Sequence, residues 1–187
     1  MRLKTLGLLV LSMTALMAFA ASAYATTVTS PTGTVATGEE EESTSEGHVA
    51  FHNPIAKIEC NARLTGRIEG HGSGVTATGP VTSFTFTNCT NSWHVTVVSN
   101  GSLIAHYKSG YNATITSNGA TVEATRFGVS CRYITSNTSL GTATGGNPTT
   151  MHIEAAIPFH SGSGLCGAGS IAYTGSFIGK SSAYFDA

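Results

Sequence analysis

The sequence has little charge. Asp, Glu, Lys and Arg together make up 10% of the chain, compared with about a quarter in a typical soluble domain. The basic residues are scattered singly, so the sequence lacks the dense Lys/Arg patch with which nucleic-acid-binding proteins replace phosphate counterions. This composition argues against a nucleic-acid partner.

The sequence also lacks catalytic and metal-binding motifs. Asp186 is the only aspartate, and no G-x-S-x-G elbow or C-x-x-C pair occurs. Alternation along the predicted strands places four of the nine glutamates outward: Glu59, Glu69, Glu123 and Glu154. The seven histidines show no close metal-ligand spacing apart from His48 and His52. We therefore predict a non-enzyme without cofactor or metal, and keep a hydrolase with a dispersed site as an alternative.

Long apolar runs are confined to the N-terminus. Arg2 and Lys4 precede an apolar run from Leu6 to Ala20, and small residues follow it, which is typical of an export signal cleaved after Ala25. No later run approaches the roughly 20 apolar residues that a membrane-spanning helix needs. The sequence predicts a signal peptide over residues 1–25 and a secreted or cell-surface protein without a membrane span.

Four cysteines follow this signal: Cys60, Cys89, Cys131 and Cys166. An even cysteine count in an exported chain predicts two disulfides. Three pairings are possible, and the sequential one, which closes one loop in each half, needs the least crossing of the chain. We expect the cysteines to be structural rather than catalytic.

The exported part divides by composition into two segments. Residues 26–47 carry four consecutive glutamates and almost no large apolar side chains, which predicts a flexible acidic lead-in. Its Val28 and Val35 would allow it to lie along a sheet edge, or to donate a strand to a neighbouring molecule. Residues 48–187 are predicted to form one domain.

Alternation of apolar and polar residues predicts strands in this domain. One strand places Ile58, Cys60 and Ala62 on its inner face, and another covers Val81–Phe86. Asn100-Gly101 and Asn118-Gly119 each predict a two-residue β-hairpin. Short strands separated by Gly, Asn and Ser, with no amphipathic helix, predict an all-β antiparallel sandwich or jelly roll.

Few aromatic residues are available to bind a ligand. We consider four of them, Trp93, Tyr107, Tyr111 and Tyr133, as ligand-contacting aromatics that could form a platform for sugars. The alternative is that they pack in the core. Either surface polysaccharide or a second copy of the chain is a candidate partner, the latter because Thr- and Val-rich sheet edges with few charged residues can pair between chains.

The cysteines and their neighbouring residues resemble a pattern found in other secreted proteins. The stretch from Ile58-Glu59-Cys60 to Phe84-Thr85-Phe86-Thr87-Asn88-Cys89, and on to Cys131 and Gly164-Leu165-Cys166, resembles small secreted β-rich actinobacterial proteins of unknown function. More distantly it is similar to the PraB family, named as activators of alkane oxidation and associated with the bacterial surface and extracellular matrix. This resemblance implies fold and location, and supplies no catalytic residues. We therefore expect an adhesive or structural protein of the cell surface or matrix, with a carbohydrate-binding module as the alternative.

Overall fold

The structure, a computed structural model, describes residues 26–30, 37–53, 56–71, 76–167 and 169–186. The predicted signal peptide lies outside these residues. The described part contains fifteen strands, two short 3₁₀ turns and no α-helix. The strands are β1 (Thr27–Thr29), β2 (Glu40–Ser45), β3 (Val49–Asn53), β4 (Ala56–Arg67), β5 (Glu69–His71), β6 (Thr76–Thr87), β7 (His94–Ser99), β8 (Ser102–Ser109), β9 (Asn112–Asn118), β10 (Thr121–Arg126), β11 (Val129–Ile134), β12 (Thr138–Thr144), β13 (Thr150–Gly162), β14 (Ser170–Gly179) and β15 (Tyr184–Asp186).

Most strands belong to a closed antiparallel barrel with eight strand positions. Going around the barrel, β4, β6, β8, β9, β12, β13 and β14 fill seven positions, and β2 and β3 together fill the eighth. The ring closes because β2 and β3 each pair with both β4 and β14. The prediction of an all-β fold with two disulfides is confirmed, but the main sheet closes on itself instead of stacking as a clear sandwich. Closure gives each of these strands a neighbour on both sides, although not along its whole length: the second half of β6 pairs with β4 alone, and the middle of β13 with β14 alone.

Part of the predicted flexible lead-in is therefore built into the barrel. β2 carries Glu40 and Glu42, which pair with Arg67 and Arg63 on the neighbouring β4, and Glu42 also pairs with Lys180. Sequence reasoning treated the glutamates as a solvated run because it could not see the basic residues that face them. Ion pairs and a backbone ladder order this segment instead.

Burial along β4 and β6 follows the predicted alternation. Ile58, Cys60 and Ala62 are all buried, as is Val81. Aromatic rings fill the middle of the barrel, where Tyr173 stacks on Phe51 with ring centroids 4.7 Å apart. The prediction of which face is buried is thus confirmed for β4.

A second, smaller sheet projects from the barrel. We call it the side sheet, and it consists of β7, β10, β11 and the C-terminal end of β13, in the order β7-β10-β11-β13. β13 is 13 residues long and belongs to both sheets, since its first part pairs with β12 and β14 and its end pairs with β11. The barrel and the side sheet are therefore joined by a continuous strand.

The two predicted Asn-Gly hairpins are wrong. β7 does not pair with β8, nor β9 with β10; at each Asn-Gly the chain crosses between the barrel and the side sheet. A type I′ hairpin needs positive φ at both central residues, but only Gly101 (φ 65°) and Gly119 (φ 75°) have it. A Cβ on Gly101 would lie 2.5 Å from the carbonyl oxygen of Asn118. The two turns are thus packed against each other, a tertiary contact that overrides the local preference.

The disulfides pair sequentially, which is the pairing that we expected to need the least crossing of the chain. Cys60 is bonded to Cys89, which ties β4 to the end of β6, and Cys131 is bonded to Cys166, which ties β11 to the 3₁₀ turn after β13. The first bond strengthens the barrel wall. The second fastens the side sheet to the connection between β13 and β14.

A two-stranded pair of β1 and β15 covers one end of the barrel. Val28 lies opposite Phe185 in this pair, and both side chains are buried. The hydroxyl of Thr26 accepts a hydrogen bond from the backbone N–H of Tyr107 in β8, at 2.7 Å. We call β1 and β15 the end cover.

Within the described residues, no helix has the length and apolar character required to cross a membrane.

We expect the double variant Cys131→Ala, Cys166→Ala to lower the free energy of unfolding by about 3 to 4 kcal/mol. The physical reason is that the unfolded chain regains the entropy of a 35-residue loop. Urea denaturation followed by circular dichroism measures this change. Hydrogen exchange should accelerate first in β10 and β11, whereas the matched variant Cys60→Ala, Cys89→Ala should accelerate exchange in β4 and β6. Equal stability of the wild type and the first variant would contradict this role of the bond.

Candidate functional site

The four aromatic residues considered as a sugar platform do not form one exposed row. Trp93 and Tyr133 are buried, with 8% and 4% of their surface exposed, and Tyr107 is half-buried. Tyr111 is 53% exposed but packs edge-on against Tyr184, with ring centroids 5.0 Å apart. Trp93 and Tyr133 therefore act mainly as core residues of the side sheet.

The described residues contain no cluster typical of a metal centre. No group of three or more His, Cys, Asp or Glu side chains in this part of the chain could hold a metal ion. No cysteine is free, since all four form disulfides.

Carboxylates with perturbed acidity lie in surface ion pairs. Hydrogen bonds from Arg63 and Lys180 lower the pKa of Glu42, and a hydrogen bond from Lys57 lowers the pKa of Glu59. A hydrogen bond from the hydroxyl of Ser130, together with the charge of Arg132, lowers the pKa of Glu123. Each of these carboxylates is held ionised by nearby polar residues, from a paired strand for Glu42 and Glu123 and from the same strand for Glu59, which is a structural role.

The most unusual surface lies at the far end of the side sheet. Phe127 at the turn between β10 and β11 is 83% exposed, and Leu165 in the 3₁₀ turn after β13 is 64% exposed. Together with their neighbours they border one shallow depression, which we call the apolar tip: Trp93, Arg126, Phe127, Val129 and Leu165. Large apolar side chains clustered at a surface mark candidate interaction sites.

The backbone at the apolar tip is strained. Phe127 and Gly128 form a two-residue turn in which both have positive φ, 48° and 79°. A bulky residue in this left-handed conformation is a genuine outlier, and Asn would be the favoured residue before Gly in such a turn. Strain of this kind is concentrated at functional positions. The turn therefore holds a phenyl ring in solvent at a cost in stability.

Arg126 adds a positive charge to the apolar tip. Its guanidinium carbon lies 4.8 Å from the ring centroid of Phe127 and 5.9 Å from that of Trp93. Among the described residues it has no acidic partner, whereas Arg63, Arg67 and Arg132 all do. The apolar tip thus combines an exposed ring with an unneutralised cation.

The side sheet also has an edge without a ladder. β7 pairs with β10 on one side, and no described strand pairs with its other side, although β6 lies close to its C-terminal end, where the side chain of Asn100 donates a hydrogen bond to the carbonyl oxygen of Thr82 at 2.9 Å. Its sequence, His-Val-Thr-Val-Val-Ser, contains no Lys, Glu or Pro, the residues that commonly prevent edge pairing. Val98 in this strand is 51% exposed. We call β7 the open edge.

A buried hydroxyl inside the barrel has no hydrogen-bond partner. Tyr173 is 4% exposed, and its hydroxyl group makes no hydrogen bond within the described part of the chain. Burial raises the pKa of this phenol. The ring lines a small internal cavity of about 30 Å³, together with Phe177 and Ile153.

Sequence reasoning missed both side-sheet features. The available signal for the apolar tip was a Phe directly before Gly128, between two strands, where a turn residue such as Asn is expected. The apolar residues on both faces of the stretch from Val95 to Tyr107 predicted a central hairpin covered on both sides, so the false hairpin gave β7 a partner in β8 and no free edge. The open edge appears only once the true partner, β10, is known.

We expect Phe127→Asn to fold and to gain up to about 1 kcal/mol in the free energy of unfolding. Asn adopts positive φ more readily than Phe, and the exposed ring contributes little burial. Urea denaturation compares the variant with the wild type. Phe127→Ala is the control, since it removes the ring but keeps the strain, and should not gain. A loss above about 1 kcal/mol in the Asn variant would mean that the ring supports the fold.

We expect Tyr173→Phe to leave the free energy of unfolding unchanged or raise it by about 1 kcal/mol, because it removes an unpaired buried hydroxyl. The pH dependence should change as well. The phenol pKa is raised in the folded state, so the wild type loses stability as pH rises above about 10, where the unfolded chain ionises. The variant should lack this loss. A clear drop in its stability at neutral pH would show that the hydroxyl is hydrogen-bonded, for example to buried water.

No protein-family model, curated protein or solved structure matches this chain.

Proposed function

We propose that this protein is a secreted, non-catalytic protein of the cell surface or extracellular matrix, with an adhesive or structural role based on self-association. The observation that carries the proposal is the open edge of the side sheet. The proposed partner is a second copy of the same chain.

The open edge has the chemistry of a pairing surface. Its backbone N–H and C=O groups on the outer side form no ladder in the described structure, and four consecutive β-branched residues favour extended conformation: Val95, Thr96, Val97 and Val98. The strand is six residues long, a usual length for a strand in a sheet. Two copies could therefore form a full antiparallel ladder between their β7 strands.

Such pairing would be symmetric. When the same strand meets itself in antiparallel orientation, a two-fold axis relates the two copies and the interface is closed. The two side sheets would then join into one continuous sheet with a barrel at each end and the two apolar tips displayed on one dimer. A dimer that presents two identical binding surfaces gains avidity for a polymeric target.

The two disulfides support the proposed extracellular location. Disulfides form and persist in oxidising compartments, and this fold uses all four cysteines in two of them. The predicted signal peptide agrees with that location.

Carbohydrate binding is the second candidate, and the apolar tip favours it. The exposed ring of Phe127 offers a face to a sugar, and the unneutralised Arg126 offers a charge to an anionic group. An anionic surface polysaccharide fits this chemistry. The tip residues differ from the aromatic set expected from the sequence, of which Trp93 alone belongs to the apolar tip.

We expect the wild type to self-associate with rising concentration and Val98→Lys to remain monomeric. A lysine on the open edge introduces a charge that would have to be desolvated in an edge-to-edge ladder. Size-exclusion chromatography with light scattering measures both. Ala156→Lys is the matched control, because Ala156 is exposed on the barrel strand β13, which pairs with β14 at that position, and it should associate like the wild type.

A strictly monomeric wild type at its highest soluble concentration would overturn self-association through β7. So would a Val98→Lys variant that associates as well as the Ala156→Lys control. A monomer that co-sediments with polygalacturonate, and loses this binding in Phe127→Asn, would favour the polysaccharide candidate instead.

A further inference from the structure

The covered end of the barrel contains an apolar cavity of about 160 Å³. The end cover supplies one wall through Val28 and Phe185, and barrel strands supply the others, including Leu103, Ala105 and Ile115. This cavity lies at a different place from the side sheet, with which it shares no lining residue.

The cavity exists because small residues line adjacent strands. Ala77 and Gly79 on β6 and Ala105 on β8 face a space that larger side chains would fill. No residue larger than glycine fits at Gly79, because a Cβ there would lie 2.4 Å from the carbonyl oxygen of Arg67. Protein interiors are normally packed without voids of this size. An unfilled apolar cavity costs stability, which a ligand that fills it restores.

The volume and lining define the class of ligand. A closed apolar cavity of about 150 Å³ in another protein binds benzene or xenon; the cavity here has about the same volume and is partly open to solvent. Two lining residues carry charge. Arg67 lies 3.8 Å from Glu40, and Glu41 accepts a hydrogen bond from the backbone N–H of Ser181 at 3.1 Å without a basic partner among the described residues. An anionic ligand would therefore be repelled by Glu41 and desolvated without a free counter-charge, and the largely apolar lining favours an uncharged ligand.

We propose that this cavity is a binding site for a small, uncharged, apolar molecule about the size of one benzene ring. The ligand lies between the end cover and the side chains of β8 and β9. Because the site is separate from the open edge, the protein binds this ligand whether or not it self-associates.

The test uses the oxidised full-length domain with benzene as the probe and benzoate as a charged probe of the same ring size. Methyl groups report the position of the probe by two-dimensional NMR, and calorimetry gives the affinity. Ala105→Leu fills the cavity from within. Ala156→Leu adds the same atoms on the outer surface of the barrel and is the matched control.

We expect saturable benzene binding with shifts at the methyl groups of Val28, Leu103 and Ile115, and no binding of benzoate. Ala105→Leu should weaken benzene binding at least tenfold, while Ala156→Leu should bind like the wild type. If Ala105→Leu does not fold, Ala77→Val, which also reduces the cavity, replaces it. Absence of saturable shifts, equal binding by a folded cavity-filling variant, or shifts confined to Phe127 and Leu165 would each overturn the proposal.

Discussion

Closure of the barrel depends on one run of chain that hydrogen-bonds on both sides. β2 and β3 follow one another and together bridge β4 and β14, the two strands that would otherwise be the edges of a long open sheet. Val49 and Phe51 bury their side chains inward from β3, while Glu40 and Glu42 of β2 pair with basic residues outside. The end cover and the side sheet are both attached to the barrel that this closure forms.

The sequence predicted local structure better than it predicted pairing. Alternation in Ile58, Cys60 and Ala62 is set by which side chains avoid water, so the buried face of β4 could be predicted without knowing its neighbours. The Asn-Gly turns were different, because a local preference for hairpins was overridden by the contact between Gly101 and the chain at Asn118 and Ala120. Which strand pairs with which is decided by such long-range contacts.

The candidate sites were the least predictable part. The open edge depends on the absence of a neighbour beside β7, and the barrel-end cavity depends on small residues from separate strands meeting at one place, such as Ala77 and Ala105. Neither property belongs to a contiguous stretch of sequence. The strain at Phe127 was easier to predict. The sequence Phe-Gly between two strands indicates a two-residue turn with positive φ, and a bulky residue such as Phe is unfavourable in that conformation.

The shared strand β13 has a mechanical consequence. Its 13 residues span about 40 Å, and they continue from the barrel into the side sheet without a flexible joint. Force applied to the side sheet along this strand acts parallel to its ladders with β12 and β14, so many hydrogen bonds resist it together rather than breaking one after another. The disulfide between Cys131 and Cys166 transmits part of that force covalently, from β11 to the segment just after β13. The shared strand and the disulfide would therefore resist separation of the side sheet from the barrel along this direction.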